Sequence, residues 1–326
     1  MKVSVIVATY NQRSTIERAL DSVLGQNAPD FDFEVIIGDD CSTDGTTEIC
    51  RAYARRHPGK VRLIERPENL GVQGNYFDCV LQASGQYLAD CAGDDQWTSP
   101  SKLAMQVAML DAHPDMTLCH TAWVCRDAQS GQFTAPHAPY TGPNIAPAGS
   151  MLVPTLQHRK DRFAHLCSAM WRREPLARDL AAHPDLYLDP QWRLEDLQIT
   201  CLMAASGSFG YIPEVTMAYT VGGSTISSEE NREKSFRLFL ATARLTRRLQ
   251  QHYGVDDASL ADFYSQRISH IFTLAFGLAD RDKCHTALAL AKEYGASLSP
   301  KAKMLRCLTL TPLTWHPVAA FLRHKR

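Results

Sequence analysis

Strand-like and helix-like hydrophobic patterns alternate along the first 125 residues of the chain. The continuous β-branched run at residues 3–8 predicts a strand buried on both faces. Further short apolar runs predict strands at residues 33–38, 61–65, 86–91 and 116–124. Amphipathic or capped segments between them predict helices, at residues 14–25, 42–57, 71–83 and 100–112. Such a repeat predicts a mainly parallel, Rossmann-like α/β sheet with right-handed crossovers and helices on both faces.

The pattern changes after residue 125. Residues 126–160 contain five prolines, which predict a long loop or lid. A strand-like run follows at residues 210–219, after the acidic segment around residue 195. Beyond residue 228 the hydrophobic spacing predicts helices, at residues 231–253, 258–278 and 281–294. The sequence therefore predicts a C-terminal helical extension.

Two pairs of adjacent acids directly follow predicted strands. Asp39 and Asp40 end the second strand, and Asp94 and Asp95 follow the fourth, just before Trp97. Adjacent carboxylates repel and are costly to bury unless a cation lies beside them. Ligands of open α/β sheets bind beyond the carboxyl ends of the strands, and Mg²⁺ or Mn²⁺ prefers oxygen ligands. The pairs predict a metal-dependent, phosphate-binding site, although simple turn capping or a solvated loop would also accommodate them.

A third acidic pair, Glu195 and Asp196, lies between Trp192 and a run of apolar residues. Partial burial beside an aromatic ring raises the pKa of a carboxyl group, which suits it to act as a general base. The alternative is that both acids only stabilise a helix N-terminus through the helix dipole.

Charge and hydropathy exclude several classes of protein. The formal net charge is -1, so no basic field indicates binding to nucleic acid. No apolar run approaches the ~20 residues of a membrane-spanning helix, and the N-terminus lacks a signal-peptide pattern. We therefore expect a cytoplasmic location. The basic residues 323–326 follow a short apolar stretch, and the alternative is peripheral association with anionic lipids at the inner face of the membrane.

Taken together, the segments resemble the inverting family 2 glycosyltransferases with the GT-A fold. The resemblance is carried, in this order, by residues 3–11, 39–45, 93–97 and the pair at 195–196, and it covers about residues 1–225. It implies one GT-A domain over residues 1–227, followed by the helical region at 228–326. Within that domain, residues 1–125 would form the nucleotide-binding half and residues 126–227 the acceptor half.

The resemblance implies a nucleotide site at the first two strand ends. Thr9, Tyr10 and Asn11 would lie beside the nucleotide base and ribose. Asp40 matches the family position that contacts the uracil ring. A UDP-sugar is therefore the expected donor, and the expected acceptor is a glycan or lipid-linked glycan in surface polysaccharide synthesis.

The resemblance also implies the metal and catalytic residues. Asp95 would bind Mn²⁺ or Mg²⁺, with Asp94 closer to the ribose. Asp196 would be the catalytic base, with Glu195 beside it. The product would have inverted anomeric configuration, because a single displacement needs no covalent intermediate.

The chain departs from the family pattern at two places. Cys41 replaces a small residue in the turn after the first acid pair. The run after Tyr219 lacks the basic residue and the histidine that often occur there, and Arg232 or Lys234 are candidate substitutes.

Two other functions remain open from the sequence. The chain would be a non-catalytic binding or scaffold subunit of a polysaccharide assembly if its active site were degenerate. A sugar-phosphate nucleotidyltransferase would use a similar sheet, but its glycine-rich first loop is absent after Thr9.

Overall fold

The structure, a computed structural model, describes residues 2–136, 139–222 and 232–309, together with residues 315, 317, 319 and 320. The chain divides into two units, Met1–Gly223 and Ser224–Arg326. The domain boundary predicted between residues 227 and 228 falls outside the described residues.

A ten-stranded sheet forms the centre of the first unit, in the order β3-β2-β1-β4-β9-β6-β10-β5, with β7 paired to β6 and β8 to β10. The strands are β1 (Lys2–Thr9), β2 (Asp32–Asp39), β3 (Val61–Glu65), β4 (Tyr87–Asp90), β5 (Gln96–Trp97), β6 (Met116–Asp127), β7 (Phe133–Thr134), β8 (Ile145–Ala146), β9 (Ala169–Arg172) and β10 (Ser208–Val221). All five strands predicted in the first 125 residues are present.

The sheet is mainly parallel, as the sequence predicts. Strand β1 pairs in parallel with β2 and β4, and β10 pairs in parallel with β6 along most of its length. The two-residue strands β5, β7 and β8 pair antiparallel with their neighbours. Strand β9 is inserted antiparallel between β4 and β6. The alternation of hydrophobic periods contains no signal for this insertion.

Eight α-helices are described in the first unit. They are α1 (Ile16–Leu24), α2 (Thr46–Arg56), α3 (Gly71–Leu81), α4 (Lys102–Ala112), α5 (Leu152–Leu156), α6 (Arg173–Ala182), α7 (Pro184–Leu188) and α8 (Asp196–Ser206). Val3, Val5 and Val7 pack in one core cluster with α1 and α4, while Ile6, on the opposite face of β1, is also fully buried. Both faces of β1 are therefore covered, which explains its continuous β-branched run.

Helix α2 begins later than the sequence predicts. Its N-cap is Gly45, whose φ of 100° lies in the left-handed region that favours glycine. The carboxylate of Asp44 accepts from the Thr46 N–H at 3.0 Å, so the predicted cap residue acts from one position before the N-cap.

The proline-rich segment is only partly the loop that the sequence predicts. Strand β6 extends into it, and Ile145–Ala146 pairs antiparallel with β10. Met151, the N-cap of helix α5, and Leu156, the last residue of that helix, are both buried. The prediction fails here because short apolar groups between prolines reach the core without a regular period.

The second unit is helical, as predicted. Its helices are α9 (Arg232–His252), α10 (Asp257–Gly277), α11 (Arg281–Glu293) and α12 (Pro300–Cys307), the last of which was not predicted. Asp256, Asp280 and Ser299 accept N-terminal backbone N–H groups of α10, α11 and α12. Among the described helices, none is both long and apolar enough to cross a bilayer. The basic residues 323–326 lie outside the described part of the chain.

A buried histidine predicts acid sensitivity of the first unit. His120 is 1% exposed and contacts the rings of Tyr140 and Tyr211, and burial lowers its pKa to about 3. The unfolded chain would bind this proton below pH ~6.5 and the folded chain would not, so stability is retained above that pH and lost as the pH falls. Between pH 6 and 4, we expect the free energy of unfolding of His120→Phe to fall by about 1.4 kcal/mol per pH unit less than that of the wild type. Urea denaturation of both proteins measures it, and equal pH slopes would contradict the assignment.

Candidate active site

The sheet brings the predicted nucleotide-binding and metal-binding segments together at the carboxyl end of β1. Thr9 is the register partner of Asp39 on β2, and the Thr9 carbonyl accepts from the Asp40 N–H at 3.0 Å. On the other side, the Gly93 N–H donates to the Ala8 carbonyl at 3.2 Å. The two acid pairs therefore flank one strand end, as a site at the edge of an open α/β sheet requires.

The first acid pair divides into a structural residue and a candidate ligand-binding residue. Both side chains are buried. The two carboxylate oxygens of Asp39 accept from the Ser42 and Thr47 hydroxyls, which hold the turn. Asp40 Oδ1 accepts from the Leu70 N–H at 2.7 Å, and burial raises the pKa of Asp40. Its second oxygen is the atom that could accept from a nucleobase.

The segment after β1 links the first two strand ends. Thr9 Oγ1 donates to Gln12 Oε1 at 2.8 Å, and Tyr10 is 48% exposed. Asn11 has a φ of 51°, and its Oδ1 accepts from the Thr43 N–H at 2.8 Å. Asn11 thus fixes the loop geometry, while Tyr10 presents an open ring. Contact of these residues with a nucleotide stays a prediction.

Cys41 also lies in the left-handed region, with a φ of 65°. This conformation is strained for a residue with a Cβ, which gives a physical reason why small residues suit this position. Its Sγ lies 3.7 Å from the Pro67 carbonyl oxygen.

The second acid pair lies in a tight turn that β10 holds from the other side. A Cβ at Gly93 would collide with the side chains of Gln12 and Thr9, so only glycine fits before the pair. The Thr220 N–H donates to Asp95 Oδ1 at 2.9 Å, and the Thr220 hydroxyl donates to the Asp94 carbonyl. Thr220 was not predicted, because 125 residues separate it from Asp95.

Asp95 has the features expected of a metal ligand. It is 0% exposed, and burial, followed by the charge of Asp94, raises its pKa to about 8. Oδ1 is held by Thr220, whereas Oδ2 is buried with no hydrogen-bond partner. A buried carboxylate oxygen without a donor is costly, and a hard divalent cation would compensate it. The residues present therefore fit Mn²⁺ or Mg²⁺.

The third acid pair begins helix α8. Glu195 is the N-cap and Asp196 the first helical residue, and both are half-buried. Burial raises the pKa of both carboxyl groups, and the charges of Asp196 and Asp90 raise that of Glu195 further. Asp196 Oδ1 is buried without a hydrogen-bond partner. An unpaired carboxylate with a raised pKa is suited to accept a proton.

Asp90, which was not predicted, interacts electrostatically with both the second and the third acid pair. Burial raises its pKa to about 7, and its charge contributes to the raised pKa values of Asp95 and Glu195. Lys102 opposes this effect on Asp90. That lysine is 0% exposed, its Nζ donates to Gln106 Oε1 at 2.6 Å, and burial lowers its pKa to about 8. The only indication of this role in the sequence was that Lys102 lies in an apolar helix.

Two arginines beside the second acid pair were also missed. Arg18 Nη2 donates to the Asp94 carbonyl at 2.9 Å, while its Nε is buried without a hydrogen-bond partner. Burial and the nearby charge of Arg126 lower the pKa of Arg18. Arg126 is the register partner of Thr220 on β6. The first unit thus places cations at this turn itself, whereas Arg232 lies in the second unit and donates to the Gly277 carbonyl at 3.4 Å.

The sheet and its acidic edge define a GT-A type fold, in agreement with solved structures. Residues 1–349 of TarS of Staphylococcus aureus, crystallised with UDP-GlcNAc, match with a TM-score of 0.64 at 19% identity, over 100% of this chain and 93% of that chain. A mannosyltransferase of Pyrobaculum calidifontis, solved with GDP-Man and Mn²⁺, matches with a TM-score of 0.53 at 21% identity, over 98% and 84%.

The chain belongs to glycosyl transferase family 2, whose sequence model matches residues 4–178. The family and the fold class predicted from the sequence are thus confirmed. An uncharacterized protein of Mycobacterium tuberculosis is 35% identical over 219 residues, 66% of this chain. The chain spans 58% of the length of that relative. TarS, named as a poly(ribitol-phosphate) β-N-acetylglucosaminyltransferase, is 37% identical over 114 residues, 35% of this chain and 19% of TarS.

Proposed function

We propose that the protein is a metal-dependent inverting glycosyltransferase that transfers a sugar from a UDP-sugar to a hydroxyl group of a glycan. The acceptor would be a free or lipid-linked glycan in the synthesis of a bacterial-type surface polysaccharide. The observation that carries the proposal is the buried, unpartnered Oδ2 of Asp95 at the nucleotide edge of a family 2 sheet. The names of TarS and its UDP-GlcNAc complex support the donor and acceptor classes.

Nucleotide recognition would begin at the ends of β1 and β2. The second carboxylate oxygen of Asp40 would accept from the uracil ring N–H, since Oδ1 accepts from the Leu70 N–H at 2.7 Å. The exposed ring of Tyr10 offers a surface for the base, and Thr9 and Asn11 shape the loop beneath it. A carboxylate acceptor at this position would suit a base that presents a ring N–H, as uracil does.

Asp95 would hold the divalent ion, with Asp94 on the ribose side. When bound, the ion supplies positive charge that stabilises the leaving diphosphate. Thr220 contributes by holding Oδ1 in place, and the unpartnered Oδ2 would be the atom that binds the ion. Arg18 and Arg126 add positive charge at the same turn, where negative charge develops as the diphosphate departs.

The proton would be taken by Asp196. As the acceptor hydroxyl oxygen bonds to the anomeric carbon, its proton moves to the Asp196 carboxylate and the bond to the diphosphate oxygen breaks. Attack from the face opposite the leaving group inverts the anomeric configuration. Burial raises the pKa of Asp196, which brings it nearer to working pH. The charges of Asp196 and Asp90 raise the pKa of the neighbouring Glu195.

Calorimetric titration of UDP, GDP and dTDP, each with and without Mn²⁺, tests this function. We expect Mn²⁺-dependent binding of UDP and weaker binding of GDP. Asp40→Ala should reduce the preference for UDP, because the base loses its acceptor. Absence of binding by every nucleotide under both conditions would contradict the proposal and favour the scaffold function.

Arg126 should contribute to binding of the diphosphate. Arg126→Gln should weaken binding of UDP about 10- to 100-fold, because a charge-assisted hydrogen bond to phosphate contributes ~1.5–3 kcal/mol. Uridine, which has no phosphate, should bind both proteins equally. Arg55→Gln is a matched control, since Arg55 is exposed and lines a groove along β3. An equal loss of uridine affinity would instead show a change in the nucleoside pocket.

A further inference from the structure

Four ring side chains form a connected group in the first unit, which we name the aromatic platform: Trp123, Phe163, His165 and Tyr219. The His165 ring lies at its centre. Ring centroids are 4.7 Å from His165 to Tyr219, 5.3 Å to Trp123 and 5.8 Å to Phe163. Trp123 and Tyr219 also meet edge to face at 6.0 Å.

The aromatic platform is attached to the metal-binding turn at two points. Tyr219 directly precedes Thr220, whose N–H donates to Asp95 Oδ1 at 2.9 Å. His165 precedes Cys167 by two residues, and the thiol of Cys167 interacts with the carboxyl group of Asp95. Cys167 Sγ also accepts from the Ala92 N–H at 3.4 Å. The aromatic platform is therefore linked, through residues that neighbour it in the chain, to the turn that carries the predicted metal ligand Asp95.

The aromatic platform differs from the closed aromatic core of the same unit. Phe163 is 41% exposed, and Trp123, His165 and Tyr219 are half-buried. By contrast, Trp171 is 0% exposed in the centre of the sheet. The exposed part of the Phe163 ring is consequently available to a ligand. Such exposure of a large ring is unfavourable for a side chain that only fills the core.

His165 adds a polar group to these ring faces. Its Nδ1 accepts from the Cys167 N–H at 3.3 Å, so the neutral imidazole carries its proton on Nε2. Burial lowers the pKa of His165 to about 4, which keeps the ring neutral at physiological pH. A neutral N–H donor among aromatic rings suits an uncharged ligand with hydroxyl groups better than an anion.

We propose that the aromatic platform binds a pyranose ring of the transfer reaction, with the C–H face of the sugar against the rings and a hydroxyl group accepting from His165 Nε2. A pyranose combines an apolar C–H face with hydroxyl groups, which matches the two kinds of surface present. The inference rests on the proposed function. The ring belongs either to the donor sugar or to the acceptor glycan, and the experiment separates these sources.

The test compares the wild type with Phe163→Ala and with the matched control Phe163→Tyr, which keeps an aromatic face. Binding of methyl β-D-glucopyranoside and of its N-acetylglucosamine analogue is measured by saturation-transfer NMR, with UDP and Mn²⁺ present. UDP, UDP-glucose and UDP-GlcNAc are titrated by calorimetry. Because Phe163 is 41% exposed, its truncation should leave the fold intact, which circular dichroism verifies.

We expect at least one sugar probe to bind about three- to tenfold more weakly to Phe163→Ala than to the wild type and Phe163→Tyr, from the size of aromatic contacts. A loss confined to the UDP-sugars identifies the donor ring, and a loss confined to the methyl pyranosides identifies the acceptor ring. Equal affinities of all probes for the three proteins would overturn the inference.

A second variant tests the polar contact. His165→Asn retains an acceptor for the Cys167 N–H but lacks the Nε2 donor, and it should weaken the same sugar probe as Phe163→Ala. Binding of UDP itself distinguishes a failure of the platform inference from a failure of the proposed function. If UDP binds all proteins equally and no sugar probe is affected, only the platform inference fails. If UDP does not bind the wild type, the proposed function fails.

Discussion

Asp196→Asn should reduce glycosyl transfer by about 100- to 10,000-fold, the range that a general base contributes. The amide has nearly the shape of the carboxylate but cannot accept the proton of the attacking hydroxyl. Asp196 Oδ1 has no hydrogen-bond partner in the described structure, so the substitution breaks no contact at that atom. Product formation from the UDP-sugar, measured beside UDP affinity, checks this, and the affinity should not change.

Stability provides an internal control for Asp196→Asn. Burial raises the pKa of Asp196, which means that the folded protein disfavours its charge. Removing that charge should leave the unfolding temperature unchanged or raise it, so lost activity would not reflect unfolding. Glu195→Gln is the matched variant and should retain more activity. A larger loss in Glu195→Gln would transfer the role of base to Glu195.

Asp95→Asn should abolish the Mn²⁺ dependence of UDP binding. The buried carboxylate has one free oxygen, and its charge is the feature that a divalent cation requires. A metal ion contributes several kcal/mol at a phosphate site, so we expect UDP affinity with Mn²⁺ to fall by about 100-fold or more. Calorimetry measures UDP binding, and electron paramagnetic resonance measures binding of Mn²⁺ itself.

Asp39→Asn is the control for this experiment, because it changes another buried acid at the same edge. Both oxygens of Asp39 already accept from the Ser42 and Thr47 hydroxyls. This variant should lower stability but keep the Mn²⁺ dependence. If Asp95→Asn retains Mn²⁺-dependent binding of UDP, the ion is held elsewhere and the assignment of Asp95 is wrong.

The sequence alone predicted the elements whose signals are local. The run at Val3, Val5 and Val7 predicted a strand covered on both faces, because side chains alternate with a period of two. Cap residues and helical periodicity predicted α1–α4 to within a few residues. The position of Asp95 after β4 was equally local, which is why its place at the edge of the sheet could be predicted.

Local patterns failed where a segment depends on distant partners. The four-residue strand β9 (Ala169–Arg172) lies antiparallel between β4 and β6, and its composition does not specify those neighbours. The same holds for Ile145–Ala146, which pairs with β10 inside a proline-rich segment. Such short strands form because the remainder of the sheet leaves hydrogen-bonding edges at that position.

The sequence by itself determined the class of fold, the family and the strand ends at which acids accumulate. Only the tertiary structure decided how those acids act together. Thr220 reaches Asp95 across 125 residues, Asp90 couples electrostatically to Asp95 and Glu195, and Arg18 reaches the turn from α1. These contacts depend on which strands become neighbours, and burial then shifts the pKa values. Neither is encoded in the spacing of residues along the chain.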